Sequence, residues 1–158
     1  VVMNRLVDAG NCPNFVPTKT HMLTLAGGDL DGQKGVKAYK KELAKAYPLA
    51  GEEVEWLVNL YGKNAEVILD AAERGADGKI GKGALVRAVQ EYAVAHEACC
   101  TMSDFFTRRT ALLYFGRPWI APVQAQVEAD FKRLLGAEWH PDPNGQFARE
   151  YADVVDFS

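Results

Sequence analysis

From residue 33 to the end of the chain, apolar side chains recur at three- and four-residue intervals, and several of the runs are closed by glycine or proline. The segment 34–46 is rich in Ala, Lys, Glu and Leu and must stop at Tyr47-Pro48, because the residue before a proline is pushed out of the helical region. Residues 51–61 place Val54, Leu57, Val58 and Tyr61 on one face, with Gly62 as terminator, and 63–74 bring Val67, Ile68 and Ala71 together before Gly75. Residues 83–97 carry a continuous stripe of Leu85, Val86, Val89, Tyr92, Ala93 and His96. Thr101, with Asp104 three residues on, forms an acidic variant of the capping box and opens the next helix. After Gly116-Arg117-Pro118, a longer helix over 119–135 presents Ile120, Val123, Val127, Phe131, Leu134 and Leu135, and Asn144 can cap a last helix through Tyr151 to Val155. With no internal repeat and no low-complexity tract, the pattern predicts an all-α fold: a compact bundle of six or seven helices over 33–158.

The beginning of the chain reads differently. Residues 1–10 have Val2, Met3, Leu6 and Val7 at helical spacing and Gly10 as a stop, which is the tail of a helix without a start and points to a piece of something longer. Residues 11–32 hold Pro13, Pro17, Gly27, Gly28 and Gly32 around a short β-like run, His21 to Leu25, so they are expected to be an irregular linker with at most one strand.

One position conflicts with the helical pattern. Arg108 and Arg109 sit inside an apolar stripe, with Phe105 four residues before Arg109 and Leu112 and Leu113 three and four after it. An α-helix cannot turn both guanidiniums away from a core, and a buried guanidinium without an acceptor costs several kcal/mol, so at least one needs a fixed partner. Glu97 ends the preceding helix and only a few residues separate it from the pair, so a hairpin in which its carboxylate grips Arg108 or Arg109 bidentately is sterically reasonable. Three roles compete for this cluster: a structural clamp, an interdomain contact and substrate binding. Absent catalytic constellations favour the first two for Glu97, Arg108 and Arg109.

Composition narrows the function classes. At 158 residues and 48% hydrophobic content the chain can bury one core, and a net charge of −3 without a basic stripe argues against nucleic acid as a partner. No apolar run approaches the ~18 to 20 residues of a membrane span. Cys12, Cys99 and Cys100 do not make a disulfide framework, since neighbouring cysteines close only a strained ring; reduced thiols and a cytoplasmic location are expected. Asp77-Gly78-Lys79-Ile80 resembles the middle of a calcium loop, but Gly75 replaces an oxygen ligand and Ala84 stands where the bidentate Glu should be, so a plain turn is expected there. Gly27-Gly28 lacks the spacing of a phosphate loop, and His96, on an apolar face, reads as a satisfied core histidine. No catalytic, cofactor-binding or metal-ligating residue is assigned.

Several pieces nevertheless occur in a telling order: Leu25-Ala26-Gly27-Gly28, Tyr47-Pro48, Leu60-Tyr61-Gly62-Lys63-Asn64, Tyr92 with His96-Glu97, and Asp104-x-x-x-Arg108-Arg109-Thr110. Together they resemble the C-terminal helical domain of FAD-dependent glycerol-3-phosphate dehydrogenases and the related α-glycerophosphate oxidases. The resemblance implies a parent enzyme that oxidises sn-glycerol 3-phosphate to dihydroxyacetone phosphate by hydride transfer to flavin, with quinone or oxygen as the final acceptor. It implies that residues 1–10 end a helix of an N-terminal FAD-binding domain, that this domain is the partner of the helical part, and that FAD belongs to the parent and not to this fragment. A parent meeting the cytoplasmic membrane peripherally, and self-association, stay open. The fragment itself is expected to be a non-catalytic accessory domain. The competing reading is a freestanding helical protein-interaction adaptor whose arginine pair reads a carboxylate.

Overall fold

The computed structural model of the chain describes Arg5, residues 19–76 and residues 80–156. Apart from Arg5, the expected helix tail at 1–10 lies outside these described residues, as do Cys12 and most of the calcium-loop-like segment, Asp77-Gly78-Lys79. Within them stand seven α-helices: α1 (Gly32–Ala46), α2 (Gly51–Tyr61), α3 (Asn64–Arg74), α4 (Lys82–Glu97), the short α5 (Leu112–Phe115), α6 (Ile120–Leu135) and α7 (Gln146–Asp156). A π-helical turn (Asp104–Arg109) precedes α5, and 3-10 turns occur at Thr20–Met22 and Arg117–Trp119. The fold is all-α, and no strand occurs among the described residues. The β-like run His21 to Leu25 enters a 3-10 turn, because a lone extended segment has no neighbour to complete its hydrogen bonds.

Local chemistry sets the helix ends. The Glu53 carboxylate accepts the Ala50 amide at 3.0 Å, which closes the first turn of α2. Its other end stops at Gly62, whose φ of +53° lies in the left-handed region. Tyr47 leaves α1 in an extended conformation, as the following proline demands.

α4 is the central element, packed against both α3 and α6, while α1 packs on α2 and α2 on α3. Its position explains its sequence. Leu85, Val86, Ala88, Val89, Gln90 and Ala93 are all buried, so the helix is covered on more than the single stripe of a surface helix. The core continues into the π-helical turn, where Phe105 meets Phe131 edge-on and Phe106 stacks on Phe147 at 5.0 Å, drawing α6 and α7 onto the same centre.

Candidate functional site

The motifs carrying the family resemblance are dispersed from Leu25 to Thr110, but the fold brings several of them to one corner of the bundle. The connector is pinned there by backbone. The Lys63 amide donates to the Gly27 carbonyl at 2.9 Å, and the two chain segments approach so closely that a Cβ on Gly27 would collide with the Tyr61 carbonyl and one on Gly62 with the Gly27 carbonyl. Leu25-Ala26-Gly27-Gly28 and Leu60-Tyr61-Gly62-Lys63-Asn64 are therefore two halves of one backbone junction. Gly27 is spent on this contact and Gly28 on a turn closed onto Leu25, and Asp29 and Asp31 beside them add negative charge. A dinucleotide phosphate does not fit there.

From the junction the Tyr61 ring reaches Tyr92 edge-on at 5.4 Å, and Tyr92 packs against His96 at 4.6 Å. The Tyr61 hydroxyl is buried without a hydrogen-bond partner among the described residues. Burial and then the negative charge of Glu97 raise its pKa, with Arg109 opposing, so it remains protonated. His96 is exposed instead of being the satisfied core histidine expected from the stripe. At the end of α4 only Ala93 and Cys99 point inward, and the imidazole lies along the outer face of Tyr92.

Beyond His96, α4 ends on Ala98 in the left-handed conformation (φ +50°), and the Cys99 amide returns to the Ala93 carbonyl. The expected cap follows. The Thr101 hydroxyl accepts the Asp104 amide at 3.0 Å, and the Asp104 carboxylate reaches back to the Cys100 amide at 3.4 Å. Cys99 is fully buried; desolvation, then the Asp104 charge, push its thiol up to about 12, which makes it an inert core residue.

The arginine pair does not lie where an α-helical stripe would put it. Between Asp104 and Arg109 the backbone is π-helical, and the Thr110 amide and hydroxyl both donate to the Phe105 carbonyl five residues back, at 3.0 and 2.7 Å. The extra residue in the turn places buried Thr110 beneath Phe105 and lets Phe105 and Phe106 both face the core. Arg108 and Arg109 are rotated outward. The buried guanidinium expected from the sequence is thus corrected: the side chains of Arg108 and Arg109 are 55% and 41% exposed.

Glu97 and Arg109 do come together, but not as a bidentate carboxylate clamp. Arg109 donates to the Glu97 backbone carbonyl at 2.6 Å, and its Nε stands 3.9 Å from the carboxylate. The cation therefore sits on the C-terminal end of α4, where unsatisfied carbonyls and the helix dipole favour it. Arg108 pairs with Asp104 one turn earlier. Burial opposes ionisation of Asp104, yet hydrogen bonds from Arg108, Thr101 and the Cys100 amide hold its carboxyl below the usual range.

A buried interhelical acid exists elsewhere. Asp130 of α6 accepts from Arg87 of α4 at 2.9 Å and from Arg133 at 3.1 Å, and Arg133 continues to Glu91 at 2.6 Å. The sequence carried a signal for it. Asp130 continues the spacing Ile120, Val123, Val127, so an acid stood in an apolar stripe just as the arginines did. Glu150 of α7 carries no such signal, although the hydroxyls of Ser103 and Thr107 donate to it at 2.7 and 2.8 Å and fasten α7 to the π-helical turn.

Comparison with known proteins places this corner in context. The profile of the family described as the C-terminal domain of alpha-glycerophosphate oxidase matches residues 18–142. The aerobic glycerol-3-phosphate dehydrogenase of Bacillus subtilis is 30% identical over 125 residues, covering 76% of this chain and 22% of the relative. The enzyme of the same name from Staphylococcus saprophyticus is 29% identical over 125 residues, again 22% of its length. Among solved structures, the glycerol-3-phosphate dehydrogenase from Bacillus halodurans complexed with FAD superposes with a TM-score of 0.68 at 25% identity, covering 97% of this chain and 31% of that one. The chain thus spans about a fifth of the length of the curated relatives it matches. Among the described residues, no helix is long and apolar enough to cross a membrane.

Proposed function

The chain belongs to the family of the C-terminal domain of alpha-glycerophosphate oxidase, and from that premise we propose that it serves as the helical accessory domain of an FAD-dependent glycerol-3-phosphate dehydrogenase. The observation that carries the reading is the match itself, which runs over most of this chain and about a fifth of each relative. In the proposed parent, hydride passes from C2 of sn-glycerol 3-phosphate to flavin, yielding dihydroxyacetone phosphate, and the reduced flavin hands its electrons to quinone or oxygen. Flavin and substrate are held by an N-terminal domain that precedes this one. The location is cytoplasmic, with any membrane contact of the parent peripheral.

The part assigned to this chain is structural. Arg109 ties the end of α4 to the π-helical turn, and that tie keeps Tyr61, Tyr92 and the connector junction in one corner. Arg108, which pairs with Asp104 on its own element, has a guanidinium half in solvent and can meet the preceding domain. Both roles are consistent with the exposure of the pair and with its helix-end geometry.

The test is the natural reading frame that encodes this chain. Its product should bind FAD and bleach the flavin band when glycerol 3-phosphate is added without oxygen, whereas the 158-residue chain alone should carry no flavin. A natural product no longer than this chain, stable and colourless, would refute the proposal.

A further inference from the structure

The exposed large apolar side chains of the described residues are not scattered evenly. Met22, Leu23 and Leu25 are 71%, 69% and 83% exposed within four positions of the connector, and Leu60 at the end of α2 is 39% exposed. Leu25 and Leu60 border one open groove of about 320 Å³, whose floor includes Leu30, Val36 and Val58. Isolated apolar side chains on a surface need no explanation, but a run of them beside an apolar groove marks a place that another surface covers.

The exposure is built into the backbone. The Met22 and Leu23 amides close the 3-10 turn onto Lys19 and Thr20, the Gly28 amide closes a turn onto Leu25 at 2.8 Å, and the Gly27–Lys63 bond locks that turn against the α2–α3 corner. Only glycine fits either side of the junction, so the connector cannot settle deeper and bury its own leucines. The Lys63 ammonium, 3.9 Å from Asp29, offsets part of the negative charge that Asp29 and Asp31 bring to the junction. Such an edge suits an apolar partner rather than a charged one.

We infer that the edge made by Met22, Leu23, Leu25 and Leu60 is the seat on which the remainder of the proposed parent polypeptide docks in cis. The inference rests on the proposed function for the existence of that remainder, which in the relatives amounts to nearly four-fifths of the length. In the proposed parent the connector leads from the preceding domain into α1, so it is the part of the helical fold next to that domain in sequence. A domain tethered at that point has a high effective concentration at this edge and at no other. The second exposed apolar pair, Tyr114 and Phe115 on α5, lies some ninety residues further along and is flanked by Arg108 and Arg117. It serves as the internal control.

The experiment uses the intact parent. Single variants Leu25→Cys, Leu60→Cys and Phe115→Cys are made in a background where Cys100 is Ser, and each thiol's labelling by a charged maleimide is timed against the same protein unfolded in urea. Residues 25 and 60 should label at least about tenfold more slowly than residue 115. Equal rates at 25, 60 and 115, or protection at 115 alone, would overturn the docking surface. A second readout guards against a local effect of the probe: Leu23→Ser with Leu25→Ser should speed tryptic cleavage within the connector while the flavin content stays unchanged. No change in cleavage also counts against the seat. Flavin content and glycerol 3-phosphate oxidation judge the proposed function separately, because a colourless parent with a protected edge refutes that reading and leaves the seat standing.

Discussion

Two places in the bundle join arginine to carboxylate across helices, and they differ in which partner is buried. At the elbow between α4 and the π-helical turn, Arg109 and Glu97 both keep part of their side chains in solvent, and the shorter bond runs to a backbone carbonyl. At the seam between α4 and α6 the acid is buried: the Asp130 side chain is 6% exposed, both its oxygens are engaged, and Arg87 and Arg133 reach in from half-exposed positions. The difference follows from side-chain length. An arginine placed over a core can extend its stem along apolar surface and lift its guanidinium into water, whereas an aspartate one methylene from the backbone has no such escape. A buried short acid therefore needs partners brought to it, and a long cation in an apolar stripe usually finds its own way out.

The sharpest way to break this contrast is at Asp130. Asp130→Ala removes two charge-assisted hydrogen bonds and leaves Arg87 and Arg133 facing an apolar seam, so it should cost about 2–3 kcal/mol, read as a lower urea midpoint at unchanged slope. The arginines keep solvent on one side, which keeps the cost below that of a fully buried pair. Asp130→Asn should recover part of the loss. A midpoint unmoved by Asp130→Ala would mean that packing alone holds α4 to α6.

How far the sequence reaches is visible in these same elements. Helices α1, α2 and α3 follow directly from period and punctuation, because apolar faces at 3.6-residue spacing stop at Tyr47-Pro48, Gly62 and Gly75, whereas α4 and α6 follow from period, with α6 opening after Gly116-Arg117-Pro118. The cap at Thr101 and Asp104 is likewise legible, since it depends on side chains three residues apart. The π-helical turn is not. One extra residue in a turn leaves no compositional mark, yet it decides whether Arg109 or Thr110 stacks under Phe105, and so it reverses the burial of the arginine pair. The connector junction shows a third case. Its glycines are plain in the sequence, but that Gly27 needs Gly62 is a tertiary fact between residues thirty-five apart.

Glu150 gives the intermediate test and carries a pH dependence. Burial raises its pKa, but hydrogen bonds from Ser103, Gln146 and Thr107, with the charge of Arg108, win and hold it below the ordinary value of 4.5. A depressed carboxyl stabilises the fold fully above its unfolded value. That contribution fades as the pH falls from about 4.5 through the lower folded value. Glu150→Gln should lower stability by about 1–2 kcal/mol at pH 7 and leave a shallower acid limb in a plot of urea midpoint against pH. Parallel acid limbs for the two proteins would show that Glu150 does not fasten α7.

The smallest effects belong to the residues that stood out first in the sequence. Arg109→Ala should cost less than about 1 kcal/mol, because an ion pair two-fifths in solvent is screened and what remains is one capped carbonyl at a helix end. Arg108→Ala should cost only about 0.3–0.5 kcal/mol, the ordinary value of an exposed pair one turn apart, since Asp104 keeps Thr101 and the Cys100 amide. Added salt separates the two within one experiment. The Arg108 effect should vanish at 1 M NaCl, where the screening length falls to about 3 Å, while the Arg109 effect should persist in part because a short bond to a carbonyl does not depend on the carboxylate beyond it. If instead Arg109→Ala rivals Asp130→Ala, the elbow is a clamp of the kind the sequence implied, the outward rotation given by the π-helical turn is wrong, and the contrast between a long exposed cation and a short buried acid fails with it.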